Sequence, residues 1–325
     1  MAARNNQRNK MQHYVPRFYL ELFTDPSGKV WNYDKVSDQA RDIKSVESGV
    51  EKNLYSPKNS NGSFNDDLDR LFDLVESESA EIFKSFSLHG KFDQRHKELL
   101  SFFIAMLYVR SPAVMNAYSL GYGEVIQKIT RSVVGNENRF HELMQQSDLE
   151  RGAPTDKAMR EKIRQFMLDS SKYKVRVSKK LGLMSVGQLQ TIANYILRMN
   201  WTILDSPNQH FITSDCPVSQ IVLEGGKVVT PGGFLHRDCK VVLAMNPSRA
   251  LLCEWGGKAD LQIRSIRSQF ARSLNSIQAW QAERFLFSSK RDEGISLLAK
   301  KFNKPGIRLR VSGSSGNAPV VLKRS

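Results

Sequence analysis

The hydrophobic pattern of this chain changes its period near residue 200, and that change constrains the fold more than any other feature. From Phe64 onward apolar residues recur at helical spacing: Leu68, Leu71, Phe72, Val75, Ile82, Phe83 and Phe86 form one stripe. A second helix is expected from about Phe92 to Val109. Its apolar run Leu99–Val109 meets Arg110-Ser111-Pro112, where proline breaks or kinks a helix. The span 116–172 reads as mostly helical, interrupted at Gly135 and around Arg151–Pro154, and a helix over 186–200 closes the block. Short β-like runs then take over: WTILD (201–205), HFITS (210–214), SQIVLE (219–224), KVVLAM (240–245) and ALLCEW (250–255). Gly, Pro and Asn turns separate them, which is the pattern of a meander. Helical periodicity returns over 263–287 and 292–303.

Ahead of the helical block, Pro16 suits the first turn of a short helix within HYVPRFYLELF (13–23). KVWNYDK (29–35) and RDIKSV (41–46) then read as a hairpin. The expected fold class is α+β, mostly helical, with an N-terminal β-hairpin and a C-terminal antiparallel sheet. The expected organisation is a basic tail (1–10), one interdigitated domain (11–303) and a basic polar tail (304–325). Within the domain lie a helical block (about 64–200), a sheet (about 201–255) and closing helices (263–303).

Charge narrows the partner class. The 48 Lys and Arg residues against 33 Asp and Glu give a formal charge of +15, a balance that attracts polyanions through counterion release. IRSIRSQFAR (263–272) places Arg264, Arg267 and Arg272 on an expected helix. KYKVRVSKK (172–180) adds Lys172, Lys174 and Arg176 on an expected exposed strand or loop. Nucleic acid or a nucleotide is the expected partner, with a solvated charged face as the alternative. No apolar run approaches the ~20 residues that cross a bilayer, and the amino terminus lacks the apolar core of a signal peptide. A cytoplasmic location and no membrane partner are therefore expected. Three cysteines without a CxxC pair argue against a disulfide framework or a zinc ribbon. Walker, GxSxG, HExxH and dinucleotide-binding motifs are missing, which disfavours the corresponding enzyme classes.

HYVPRFYLELF at 13–23 together with FITSDCPV at 211–218 resembles the bacterial domain-of-unknown-function family 4238, whose members carry HYVPxxYL-type and FITSDxPV-type motifs. VWNYDK, Arg-Ser-Pro at 110–112, Asn275 and AERFLFS (282–288) follow in the family's order, so the resemblance covers about residues 11–290. Cys216 stands where the family more often has Asn, and AMNPSR (244–249) replaces a proline-led turn. The resemblance implies a shared fold and brings no established reaction.

Four residues are candidates for chemistry. Histidine side chains ordinarily titrate near neutrality, so His13 suits proton transfer or metal ligation; a core or capping histidine is its structural alternative. Arg110 leaves a buried helix end, where its guanidinium suits a phosphate or a carboxylate; a structural salt bridge is the commoner role. Asp215, at the end of an apolar β-run, suits a divalent ion (Mg²⁺ or Mn²⁺) or a water, unless it only closes a turn. Glu76 lies about 40° from Phe72 around its helix, with Asp69 about 20° further, so both edge the apolar stripe. The expected activity is that of a hydrolase or nuclease acting on nucleic acid or another phosphate-containing substrate. The alternative is a non-catalytic nucleic-acid-binding or toxin-like interaction protein.

Overall fold

The structure is a computed structural model that describes residues 11–44, 47–52, 54–55, 65–89, 92–175, 177, 179–224, 227–229, 233–256, 261–304, 310–312 and 321–323. The chain opens with strand β1 (Met11–His13), helix α1 (Arg17–Glu21) and the hairpin β2 (Lys29–Asp34) and β3 (Gln39–Lys44). Strand β4 (Val50–Lys52) then returns antiparallel along β1, with His13 opposite Val50. Gly49 makes this return feasible. Its φ is +64°, a region closed to most side chains, and a Cβ there would stand 3.0 Å from the Val15 Cβ.

The helical block comprises α2 (Asp67–His89), α3 (Gln94–Val109), α4 (Pro112–Gly135), α5 (Glu137–Arg151), α6 (Lys157–Leu168), a 3-10 segment (Lys179–Gln188) and α7 (Leu189–Arg198). Its boundaries follow local chemistry. Asp93, Asn136 and Asp156 cap α3, α5 and α6 by accepting backbone N–H groups with their side chains, and Gly152 ends α5 in the left-handed region. On α2 the stripe Phe72, Val75, Ile82, Phe83 and Phe86 is buried, whereas Leu71 is exposed.

Strands β5 (Asn200–Asp205), β6 (Thr213–Ser214), β7 (Val218–Glu224), β8 (Lys227–Val229), β9 (Cys239–Ala244), β10 (Arg249–Glu254) and β11 (Gln262–Ser265) follow, then α8 (Ser268–Gln281), β12 (Phe285–Ser288), α9 (Glu293–Lys301), β13 (Arg310–Ser312) and β14 (Val321–Lys323). Six strands form a sheet in the order β11-β5-β10-β9-β7-β8, antiparallel except for β11 beside β5. A second sheet, β3-β2-β12-β6, joins the N-terminal hairpin to strands late in the chain. The architecture is thus α+β, with the hairpin and the later antiparallel strands both present.

Two local expectations are corrected. Residues 263–287 are not one helix: β11 comes first, α8 begins after the extended Arg267, and FLFS is β12. Leu286, Phe287 and Ser288 are all buried between β2 and β6, and an apolar run with partners on both sides carries no period that separates strand from helix. HFITS contributes only Thr213 and Ser214 as strand, and they leave the meander for the second sheet. The basic stretch after α6, expected as a strand or a loop, has no strand among its described residues and so takes the second form there.

Tyr19 of α1 ties the two sheets together. Its buried hydroxyl donates to the Ala244 carbonyl of β9 at 2.7 Å and lies 3.0 Å from the Thr213 hydroxyl of β6. Among the described residues, no single helix is long and apolar enough to cross a membrane.

Candidate functional site

The Arg-Ser-Pro sequence at 110–112 builds an elbow. Arg110 ends α3 with its N–H on the Met106 carbonyl (3.2 Å), and the Ser111 hydroxyl donates to the Tyr108 carbonyl (2.8 Å). Pro112 then starts α4, and the two helices meet at a 57° bend. The elbow sends the Arg110 side chain inward, where only 1% of it remains exposed. Its Nη1 pairs with Glu76 Oε1 of α2 at 2.7 Å, and its guanidinium carbon stands 5.3 Å from the centre of the Phe72 ring. A buried charge persists only when paired in this way. Burial raises the Glu76 carboxyl above its ordinary range, and the Arg110 charge pulls it back only in part.

A cavity of about 80 Å³ lies against this pair, lined by Met11, Gln12, His13, Tyr55, Asp69, Phe72, Asp73, Glu76 and Arg110. Three sequence-distant elements therefore converge here: β1 brings His13, α2 brings Asp69, Asp73 and Glu76, and the elbow brings Arg110. The three acidic positions, spaced by four and three residues, occupy one helix face. The buried Gln12 side chain fixes the roof by accepting the Tyr55 N–H at 2.6 Å. Tyr55 in turn stands edge-on to Phe72, with ring centres 4.9 Å apart. Arg110 also lines a second cavity of about 90 Å³, with Tyr14, Glu51, Leu54, Pro112, Met115 and Asn116.

His13, Glu76 and Arg110 are thus brought together, and Asp69 joins them. Sequence reasoning missed Tyr55 and Asp73. The signal for Asp73 was its place one turn from both Asp69 and Glu76; Tyr55 gave none.

The sequence model of the family DUF4238, described as a protein of unknown function, matches residues 11–292. The chain belongs to this family. The DUF4238 match spans every residue that lines the two cavities. No curated protein and no solved structure matches the chain.

In this DUF4238 chain Asp215 lines neither cavity. It is buried, and its carboxylate accepts the N–H groups of Glu283 (2.9 Å), Arg284 (2.7 Å) and Phe285 (3.0 Å). Both oxygens are thereby engaged in holding the connection from α8 to β12, which corrects its expected place beside His13 and Arg110. Burial lifts its pKa to about 6, and the three N–H groups offset only part of that shift. Asn275 is also a brace: its side chain accepts the Ile212 N–H and donates to the His210 carbonyl. Among the described residues, no three His, Cys, Asp or Glu side chains are grouped to hold a metal ion.

The basic residues separate. Arg264 lies on β11, Arg267 caps α8 and Arg272 lies within it; all three are exposed, so the expected single helix face is replaced by a strand-to-helix corner. Arg272 Nε donates to Gln209 Oε1 at 3.2 Å. Lys172 and Lys174 are exposed after α6, and Arg176 lies outside the described residues.

Proposed function

We propose that this DUF4238 chain is a hydrolase acting on a phosphate-containing substrate, nucleic acid or nucleotide, at the cavity between β1, α2 and the α3–α4 elbow. The supporting observation is the convergence of His13, Glu76 and Arg110 on one cavity. Arg110 holds non-bridging phosphate oxygens, the group on which negative charge accumulates as the P–O bond breaks. Glu76, whose carboxyl burial raises above its ordinary range, takes a proton from the attacking water as its oxygen bonds to phosphorus. His13 delivers a proton to the departing oxygen. A divalent ion, Mg²⁺ or Mn²⁺, would be held by Asp69 and Asp73 together with the substrate phosphates, as one or two carboxylates commonly do, and would offset charge on the phosphoryl oxygens.

The test assays the purified chain on RNA, DNA and nucleotides with Mg²⁺ or Mn²⁺, beside His13→Gln and Glu76→Gln. Loss of about 100-fold or more in either variant, with folding retained, is the expected result for a general acid or base. Full activity in both variants overturns the assignment.

The exposed corner of Arg264, Arg267 and Arg272 favours a second reading, a nucleic-acid-binding protein without turnover. Binding would then fall steeply with salt, and Arg264→Ala with Arg267→Ala would weaken it, while cavity variants would leave it unchanged.

A further inference from the structure

Arg110 has more hydrogen-bonding capacity than the protein uses. Nη1 is occupied by Glu76, but Nε and Nη2 have no partner among the described residues although both are buried. The hydroxyl of Tyr55, a residue that lines the same cavity, is likewise buried and has no partner among the described residues. Burial raises the Tyr55 phenol, so it remains a donor at neutral pH. Leaving buried donors unmade is costly, and native structures rarely do so without a reason. Nε and Nη2 form one edge of the guanidinium, the fork that matches two oxygens of a phosphate.

We infer that the cavity receives a terminal phosphoryl group, two of its oxygens on the Nε and Nη2 edge of Arg110 and a third on the Tyr55 hydroxyl. This deepens the proposed hydrolase reading by naming the part of the substrate that enters, and its binding claim stands without turnover. With Arg110 only 1% exposed and about 80 Å³ available, a phosphate flanked on both sides by sugars is too wide to reach the fork. A phosphate at a chain end, or on a mononucleotide, is not. Asp69 and Asp73 on the same wall repel a bare dianion, so the group enters with a divalent cation.

The test is titration calorimetry of the full chain with inorganic phosphate in Mg²⁺, then with one dinucleotide carrying either a 5′-phosphate or a 5′-hydroxyl, at 150 mM salt. Phosphate and the phosphorylated dinucleotide are expected to bind, the hydroxyl form at least tenfold more weakly. Tyr55→Phe keeps the ring on Phe72 and removes an orphan hydroxyl, so its Tm should hold while phosphate affinity drops about tenfold. Arg110→Lys should abolish binding. Equal affinity for the two dinucleotides, no binding of phosphate, or unchanged affinity in Tyr55→Phe would overturn the inference. Phosphate binding without any hydrolysis would instead sink only the catalytic reading, and cleavage of internal phosphodiesters without phosphate binding would sink only this one.

Discussion

Arg110 and Glu76 lie 34 positions apart in sequence and meet at 2.7 Å, the arginine almost wholly buried and the glutamate one-fifth exposed. The pair joins the middle of α2 to the elbow between α3 and α4. Removing one partner leaves the other charge in a poorly solvated place. Glu76→Ala is therefore expected to lower stability by about 3 kcal/mol, with a smaller loss for Glu76→Gln, as measured by urea unfolding. Losses below the error of that measurement in both variants would show the pair to be dispensable.

Two glycines with similar backbone angles should respond differently to one methyl group. Gly49→Ala forces a Cβ to 3.0 Å from Val15 in addition to a φ of +64°, whereas Gly28, at +78°, has open space around it. Gly28→Ala should cost about 1 kcal/mol from the left-handed conformation alone, and Gly49→Ala clearly more. Equal shifts in Tm would contradict this account of the turn that sets β4 beside β1.

Asp215 should make the fold less stable as pH rises through the weakly acidic range. Its ordinary value is 3.8 and burial lifts it to about 6 in the folded chain, so the native state binds this proton more tightly than the unfolded one. The contribution is complete below about pH 4 and is lost by the time pH has passed 6. Comparing Tm against pH for the native sequence and Asp215→Asn isolates the effect: the difference between the two curves should change across that window and flatten above it. Because three backbone donors would be left without a carboxylate, Asp215→Ala should also cost about 3 kcal/mol.

Asp34 should act in the opposite sense. Burial alone would raise it, but the Arg284 guanidinium and the N–H groups of Val36 and Ser37 outweigh that effect and hold it at about 2. Its stabilisation is present above about pH 4 and disappears as pH falls toward 2. In Asp34→Asn the acid limb of the Tm profile should be shallower than in the native chain.

Tyr19→Phe tests the link between the two sheets. Losing the bond to the Ala244 carbonyl and the contact with Thr213 should lower stability by about 1–2 kcal/mol, with ring packing against Phe23 and Phe83 retained. A Tm equal to that of the native chain would remove the hydroxyl from the forces holding α1.

Much of the architecture was legible because it rests on local signals. Asp93, Asn136, Asp156 and Gly152 mark helix ends through chemistry that acts over a few residues, and the period change near residue 200 coincides with the start of β5. The failures share a cause. Phe285–Ser288 owes its strand conformation to β2 and β6, which lie far away in sequence, and nothing within the segment reports them. The candidate site divides in the same way. The edge position of Glu76 and Asp69 and the inward turn of Arg110 follow from helix geometry and from Ser-Pro. That Asp215 spends its carboxylate on three main-chain N–H groups depends on a loop 68–70 residues downstream, and Tyr55 is recruited by Gln12 from 43 positions upstream.

The sheet that places β2 beside β12 carries a consequence for biosynthesis. The N-terminal hairpin leaves the ribosome some 250 residues before Phe285–Ser288, the strand that covers one of its edges, has been made. Throughout that interval Val30 and Tyr33, which end fully enclosed, lack their final neighbours and the β2 edge stays open to other chains. Such distant pairing slows folding and exposes nascent material to aggregation, so this edge is at risk of mispairing until β12 emerges.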